Sequence, residues 1–148
     1  MNTGLLLNFD FEQPNHSFQE VTGNLLFSTH DANGAYYYGG DICVHPSYRR
    51  RGIGRRLYDS RKRIVREMGK KGILAGGMLV GYHKYKDTMS IENYVSEVCS
   101  GKLVDPTLTF QLKCGFEVKG ILKNYIQDES CCNNAALIYW ENDGNSTK

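Results

Sequence analysis

The sequence contains no hydrophobic run of membrane-spanning length and very little proline. A transmembrane helix needs about 20 consecutive apolar residues, and no stretch of these 148 residues approaches that length. Residues 1–8 also lack the basic start and the full apolar core of a secretion signal. With 3 prolines, 41% hydrophobic and 23% charged residues, the composition is that of a globular protein. We expect one domain over residues 1–148, soluble and cytoplasmic, with a polar tail at 141–148.

The five cysteines lack the pairing that a disulfide framework needs. Their number is odd, Cys131 and Cys132 are adjacent, and no Cys-x-x-Cys spacing occurs. This pattern predicts reduced thiols and no metal site.

Positive charge is concentrated in one segment, although the net charge is only +2. The cations between residues 49 and 71 are Arg49, Arg50, Arg51, Arg55, Arg56, Arg61, Lys62, Arg63, Arg66, Lys70 and Lys71. Such a cluster predicts a surface that attracts an anion, either the phosphates of a cofactor or a nucleic acid. The alternative is a solvated helix face opposite the core.

Apolar spacing and turn residues predict alternating strands and helices. We expect strands at 4–11, 24–29, 35–44, 73–80, 116–122 and 135–140, and helices at 53–69, 91–101 and 106–115. Ser90 and Asp105 are the predicted caps of the last two helices, and Pro106 is the predicted first residue of the third. The strand, glycine turn, helix and strand between 35 and 80 form a βαβ unit with parallel strands. The fold class is therefore α/β, with a mixed, twisted sheet of about six strands and helices on both faces.

A glycine-rich turn joins the strand that ends near Val44 to the helix that begins near Ile53. Its pattern, Arg49-x-x-Gly52-x-Gly54, brings the backbone N–H groups of a helix start toward any ligand bound there. Glycines let the backbone close on a diphosphate. The alternative is a tight turn that needs small residues for packing alone.

The segment from Ile42 to Gly54 resembles the acetyl-CoA signature of the GNAT superfamily of N-acetyltransferases. Leu108 to Phe116 is similar to that family's helix–strand junction, and the resemblance extends from Tyr36 to Trp140. More narrowly, the chain resembles the GNAT-like domain joined to nitrilase-type carbon–nitrogen hydrolases, in motifs at Ala75-Gly-Gly, Gly81-Tyr-His-Lys-Tyr, Glu92-Asn-Tyr-Val, Asp105-Pro and Asn124-Tyr125.

The resemblance implies the fold, the cofactor and its binding residues. Acetyl-CoA would lie where the strands near Val44 and Ala75 splay apart, with the pyrophosphate on the loop amides and the pantetheine along the strand end. The basic side chains would serve the 3′-phosphate and adenine side. The implied cofactor-binding residues are Ile42, Cys43, Val44, Arg49, Arg50, Arg51, Gly52, Ile53, Gly54, Arg55 and Phe110.

The sequence departs from the family pattern at three places. Gln111 stands where many members have the tyrosine that protonates the departing thiolate. Met78-Leu-Val replaces the Arg-Ile-Pro expected before Gly81. The family's opening strand and two helices have no counterpart, so that either the true start lies upstream of Met1 or part of the acceptor-site wall is missing.

Transfer of an acyl group to an amine needs a proton acceptor for the amine and a proton donor for the thiolate. The candidates are Tyr82, His83 and Tyr85, because they follow the strand that would flank the thioester. The alternative is an aromatic packing patch beneath the helix that begins after Ser90. We expect Cys43 to be a small buried hydrophobic residue rather than a nucleophile.

The sequence therefore predicts an N-acetyltransferase that acts on a primary amine of a small molecule or peptide. The alternative is a non-catalytic acyl-CoA-binding module that acts with a hydrolase partner. A nucleic-acid surface over 49–71 is a weaker third interpretation, because no reading helix or stacking motif accompanies it. A homodimer is a further expectation, since an exposed sheet edge needs cover.

Overall fold

The structure, a computed structural model, describes residues 1–144. Its strands are β1 Asn2–Leu7, β2 Tyr36–Ile42, β3 Gly72–Met78, β4 Glu117–Leu122 and β5 Ala135–Glu141. Its α-helices are α1 Phe18–Val21, α2 Ile53–Glu67, α3 Ile91–Cys99 and α4 Leu108–Lys113. The predicted polar tail begins inside β5, and residues 145–148 lie outside the described residues. No helix in the described range is long and apolar enough to cross a membrane.

The five strands form one mixed sheet in the order β1-β2-β3-β5-β4. β2 and β3 are parallel, and the other neighbouring pairs are antiparallel. The α/β class, the mixed sheet and the parallel βαβ unit are confirmed. The sheet has five strands rather than about six, because residues 24–29 are not a strand.

The predicted strand at 24–29 is wrong because its backbone is not extended. Asn24, Leu25 and Phe27 have φ angles of 56°, 69° and 55°, which lie in the left-handed region. The Thr22 hydroxyl accepts a hydrogen bond from the Leu25 N–H at 3.1 Å. The Thr29 hydroxyl donates to the Val21 carbonyl. These local bonds hold the segment as turns after α1, in place of the ladder that a strand requires.

Each face of the sheet covers a separate part of the core. We call the face packed by α2, α3 and α4 the α2 face; it carries Ile73 and Ile138. The other face, which we call the opposite face, carries Tyr38, Leu74 and Leu137, with residues of α1 packed against it. The alternation of β3 and β5 side chains between the two clusters follows from the two-residue period of a strand.

The predicted helix ends are largely confirmed, although the buried stripe of α2 is not made up of its apolar residues alone. Tyr58, Arg61 and Val65 are buried, at helical spacing, whereas Ile64 and Met68 are exposed. The buried face of α2 therefore includes a charged residue and leaves two apolar residues exposed. The guanidinium of Arg61 takes a core position because backbone carbonyls surround it, as described below.

Residues at two predicted caps accept backbone hydrogen bonds. The Ser90 hydroxyl accepts from the Asn93 N–H at 3.2 Å, at the start of α3. The Asp105 carboxylate accepts from the N–H groups of Thr107 and Leu108 at 2.9 and 2.8 Å. The first residue of α4 is therefore Leu108, two residues beyond the predicted proline start, while Asp105 still satisfies the first turn.

β2 and β3 separate after a short parallel pairing. Their paired residues run only from Tyr36 opposite Gly72 to Tyr38 opposite Leu74, whereas β3 stays paired with β5 as far as Met78. Beyond Leu74, the edge of β3 that faces β2 therefore has no strand paired with it in the described residues. This splay lies where the sequence predicts it, between the strand ends near Val44 and Ala75.

Candidate functional site

A cavity of about 730 Å³ opens where β2 and β3 separate. The start of α2, the loop before it and α4 form its other walls. Arg51 is the one predicted cofactor-binding residue not on its wall; its guanidinium carbon lies 5.3 Å from the ring centre of Tyr48. The predicted residues that do line the cavity are Ile42, Cys43, Val44, Arg49, Arg50, Gly52, Ile53, Gly54, Arg55 and Phe110.

The loop before α2 has backbone angles that suit a bound anion. Gly52, the residue before α2, has a φ of 76°, and Arg50 has a φ of 61°, a left-handed conformation that costs a side-chain-bearing residue about 1 kcal/mol or more. No side chain in residues 1–144 caps the first turn of α2. Its free N–H groups and the positive end of the helix dipole therefore lie at the cavity wall.

The arginines of the cavity wall lack carboxylate partners within the described chain. The Nε atom of Arg49 donates to the Val44 carbonyl at 3.1 Å. The Nη2 atom of Arg55 donates to the Lys113 carbonyl at 3.2 Å, which ties α2 to α4. Because carbonyls are neutral, the positive charge of the wall is left to attract an anionic ligand.

Two further wall residues bear on what the cavity can hold. Phe110 is 37% exposed, and its ring lies close to the backbone of Gly54 at the helix start. An exposed aromatic ring in this place offers an apolar surface to a ligand chain. Cys43 has an exposed thiol, which corrects the expectation that it is buried.

Two buried polar side chains on the cavity wall, Tyr58 and Gln111, share a hydrogen bond. The Nε2 atom of Gln111 donates to the Tyr58 hydroxyl at 3.1 Å. The Oε1 atom of Gln111 is buried and has no partner in residues 1–144. It lies so close to Gly77 that a Cβ on that residue would stand 2.2 Å away. Tyr58 was not predicted as a site residue, although it lies four residues, about one helical turn, after Gly54 of the glycine-rich turn.

Arg61 lies beside this pair and is 1% exposed. Its Nη2 atom donates to the carbonyls of Thr3, Gly40 and Asp41 at 2.7, 3.4 and 3.1 Å, and its Nε atom donates to the Asn2 side chain. Burial lowers the pKa of Arg61 from its ordinary value. The guanidinium thus fastens α2 to the irregular pairing of β1 and β2, and holds the end of β2 where it leaves β3.

The predicted catalytic tyrosines, Tyr82 and Tyr85, are not on the cavity wall. Their rings pack against Tyr94, with ring centres 5.2 and 5.4 Å away. The Tyr82 hydroxyl donates to the Met89 carbonyl at 2.9 Å. The Tyr94 hydroxyl in turn donates to Asp105 at 2.7 Å. These contacts match the aromatic packing patch that the sequence left open as the alternative, and a catalytic role for either tyrosine stays a prediction.

The third predicted catalytic residue, His83, is exposed and also lies away from the cavity wall. Its Nδ1 atom is 2.9 Å from the Val80 carbonyl and 3.0 Å from the Ser130 carbonyl. Because carbonyls only accept, Nδ1 carries the hydrogen and the ring is oriented by two loops. Its catalytic role likewise stays a prediction.

A hydrogen-bonded chain of three side chains crosses the opposite face near the same splay. The Nδ1 atom of His16 is 2.7 Å from the Pro14 carbonyl, so Nδ1 donates and Nε2 accepts from the Tyr38 hydroxyl at 2.6 Å. The Tyr38 oxygen can then accept from the Tyr125 hydroxyl, 2.9 Å away. Burial lowers the pKa of His16 and raises that of Tyr125 to about 12.

Comparison with known proteins gives the context for this site. The family model described as "Acetyltransferase (GNAT) domain" matches residues 15–118. The chain is 38% identical over 141 residues to "Probable hydrolase YhcX" of Bacillus subtilis (strain 168), covering 95% of this chain and 28% of that protein. It is 32% identical over 140 residues to "Uncharacterized N-acetyltransferase YkwB" of the same organism, covering 95% of this chain and 62% of that protein. The chain thus spans less than two thirds of either relative.

Solved structures with low sequence identity share the fold. The "GphF GNAT-like decarboxylase in complex with isobutyryl-CoA" superposes with a TM-score of 0.78 at 18% identity, over 95% of this chain and 70% of the other. The "loading GNATL domain of CurA from Lyngbya majuscula" superposes with a TM-score of 0.80 at 19% identity, over 96% and 70%. These likenesses establish a GNAT-like arrangement of strands and helices.

Proposed function

The chain belongs to the GNAT acetyltransferase family, and we propose on that basis that it transfers an acetyl group from acetyl-CoA to a primary amine of a small molecule or peptide. The observation that carries this proposal is the cavity at the strand splay, where the free N–H groups at the start of α2 meet arginines that have no carboxylate partner in the described residues. A site of this kind suits a long ligand with a diphosphate at one end.

The cavity wall fits the parts of acetyl-CoA in order. The backbone of residues 50–55 would hold the pyrophosphate, because successive N–H groups at a helix start bind phosphate oxygens. The end of β2, from Ile42 onward, has left β3 and can pair its backbone groups with the amides of pantetheine. Arg49, Arg50 and Arg55 would serve the phosphates, and Phe110 would cover the apolar chain.

In the proposed reaction, the thioester lies at the splay, beyond the pantetheine. Backbone N–H groups at the end of β2 can polarise the acyl carbonyl, and the gap between β2 and β3 admits an amine toward it. The isobutyryl-CoA named for the GphF structure supports an acyl-CoA as the ligand of this fold. That neighbour is named a decarboxylase, so an amine screen must decide the acyl acceptor.

One comparison favours a second candidate function. The chain matches only 28% of YhcX, a protein whose name gives it a probable hydrolase activity. A GNAT-like domain that makes up a minority of such a protein can serve as a CoA-binding module for it. The second candidate is therefore a non-catalytic acyl-CoA-binding module that acts with a hydrolase partner. A homodimer through an edge strand of the sheet also stays a prediction.

Calorimetric titration with acetyl-CoA and with CoA tests the cofactor site. We expect a Kd on the order of micromolar for the wild type. Gly54→Asp should abolish the binding, because it adds a carboxylate at the helix start beside Phe110. Gly120→Asp is the matched control, since it adds the same charge on β4 where a side chain has open space. Equal affinity in both variants, or no binding by the wild type, would contradict the proposal.

A screen of primary amines then separates the two candidate functions. The release of free CoA thiol from acetyl-CoA is measured with each amine present and absent. An amine-dependent rate that Gly54→Asp removes supports the transferase. Binding of acetyl-CoA with no amine-dependent release across polyamines, amino acids and peptide N-termini would instead favour the module.

A further inference from the structure

The Tyr58 hydroxyl has a proton with no acceptor in residues 1–144. The amide nitrogen of Gln111 can only donate, so the Tyr58 oxygen accepts the 3.1 Å hydrogen bond between them. Tyr58 makes no other side-chain hydrogen bond in that range, and it lies on the cavity wall while being 6% exposed. A buried donor of this kind requires a partner. A molecule bound in the cavity can supply that acceptor, because Tyr58 lies on the cavity wall.

The surroundings of Tyr58 keep its ring in place. Its ring centre lies 5.9 Å from that of Phe110 and 5.2 Å from that of Phe116. Gln111 is itself held against Gly77 on β3, the strand that flanks the splay. The Tyr58 side chain is therefore held between α2, α4 and β3, on the wall of the cavity.

The same surroundings make Tyr58 a proton donor rather than a base. Burial raises the pKa of Tyr58, while the hydrogen bond from Gln111 and the charge of Arg61 act in the opposite direction. The hydroxyl therefore keeps its proton at neutral pH. The guanidinium carbon of Arg61 lies 5.8 Å from the ring centre, close enough to stabilise a phenolate once the proton has left.

We propose that Tyr58 is the catalytic acid that protonates the sulfur of CoA when the acyl group leaves, with Gln111 as its positioning residue. The inference rests on the acyl transfer proposed above. The amine nitrogen forms a bond to the acyl carbon, the carbon–sulfur bond breaks, and the electron pair of that bond stays on sulfur. The sulfur takes the Tyr58 proton, and the phenolate regains a proton, through water, from the one that the amine releases. The products are an amide and CoA thiol.

The thiol of bound CoA tests this role without knowledge of the acceptor amine. The ultraviolet absorbance of the thiolate is followed against pH for the complex with CoA, and the complex with desulfo-CoA is subtracted to remove the protein's own thiols. A hydrogen-bond donor at Tyr58 stabilises the thiolate. We therefore expect the midpoint, the pH at which half of the bound CoA thiol is ionised, to lie below that of free CoA. Tyr58→Phe should raise the midpoint by about one pH unit or more.

The control for this substitution is Tyr139→Phe, which removes a hydroxyl from the opposite face and should leave the midpoint unchanged. Calorimetry with CoA on every variant verifies that the site is folded. A second, nearly isosteric change replaces the Tyr58 ring with 3-fluorotyrosine, a stronger acid. It should lower the midpoint, whereas damage to the site would remove the donor and raise the midpoint.

The outcomes separate this proposal from the proposed function. An unchanged midpoint in Tyr58→Phe, with CoA still bound, would show that the hydroxyl does not reach sulfur; it would overturn the role of Tyr58 and leave the cofactor site standing. A rise in Tyr82→Phe in place of Tyr58→Phe would transfer the role to Tyr82 and also overturn it. Failure of the wild type to bind CoA would overturn both.

Discussion

The two faces of the sheet differ sharply at the splay of β2 and β3. On the α2 face, within residues 1–144, the arginines of the cavity wall lack carboxylate partners, the start of α2 has no side-chain cap, and Gln111 has an unpaired oxygen. On the opposite face, His16, Tyr38 and Tyr125 form a continuous chain of hydrogen bonds. Unpaired polar groups beside a cavity indicate a ligand, and paired ones indicate a structural role. The comparison places the proposed binding site on one face and a structural hydrogen-bond chain on the other.

The largest effect on stability should come from a substitution of Arg61. This residue is an exception to the contrast between the faces, because it lies on the cavity wall but its hydrogen bonds are structural. Arg61→Met leaves the carbonyls of Thr3, Gly40 and Asp41 without their donor. We expect a loss of about 3 kcal/mol in the free energy of unfolding, measured with urea. Arg63→Met, on the exposed side of α2, is the control and should change it by less than about 0.5 kcal/mol. Similar values for the two variants would refute the fastening role of Arg61.

The next effect tests the opposite face directly. Tyr38→Phe removes the hydroxyl that bonds both His16 and Tyr125, and should lower the free energy of unfolding by about 1 to 3 kcal/mol. The affinity for CoA should not change, because Tyr38 does not line the cavity. Tyr36→Phe, on the same face of the same strand, is the control. A stable Tyr38→Phe variant with weakened CoA binding would reverse the comparison.

The pH dependence of stability sharpens the comparison further. Burial lowers the folded pKa of His16 below its ordinary 6.5, and this effect outweighs the nearby charge of Glu20, which raises the pKa. The hydroxyls that face His16 along the hydrogen-bonded chain are those of Tyr38 and Tyr125. The folded state therefore disfavours protonation, so this contribution to stability is present above pH 6.5 and is lost as pH falls toward the folded pKa.

His16→Gln should remove that part of the slope. One proton accounts for at most about 1.4 kcal/mol per pH unit. The measurement is urea unfolding of both proteins at several pH values below 6.5. Parallel curves for the two proteins would show that His16 makes no such contribution.

The smallest effect concerns the loop on the binding face. Arg50 has a φ of 61°, so Arg50→Gly should relieve strain and raise the free energy of unfolding by up to about 1 kcal/mol. Loss of a cation should meanwhile weaken CoA binding and reduce its dependence on salt. Calorimetry at two salt concentrations checks this. Unchanged affinity and salt dependence would remove Arg50 from the proposed phosphate site.

The sequence predicts the parts of the fold whose signals are local. The βαβ unit, the residues at two helix starts and the loop at Gly52 all depend on neighbouring residues, and the structure has them. The strand at 24–29 was wrong because apolar side chains alone suggested it; Leu25 and Leu26 are 54% and 80% exposed. Hydrogen bonds of Thr22 decided that segment instead.

The candidate site divides in the same way between local and long-range signals. The loop and strand end could be predicted because the motif is continuous in sequence. Tyr58 meets Gln111 across 53 positions, and Arg61 meets Thr3 across 58, so no local pattern shows either contact. The cluster of Tyr82, His83 and Tyr85 is continuous in sequence, yet the structure does not bring it to the cavity wall.

The close approach of Gln111 to Gly77 also constrains the order in which mutations can accumulate. Gly77→Ala places a methyl group 2.2 Å from the Gln111 amide oxygen, so it should be harmful while glutamine is present. After Gln111→Ala, the three atoms nearest to that methyl group are gone. The two positions should therefore be coupled, so that an evolving chain accepts alanine at residue 77 more readily after a change at residue 111.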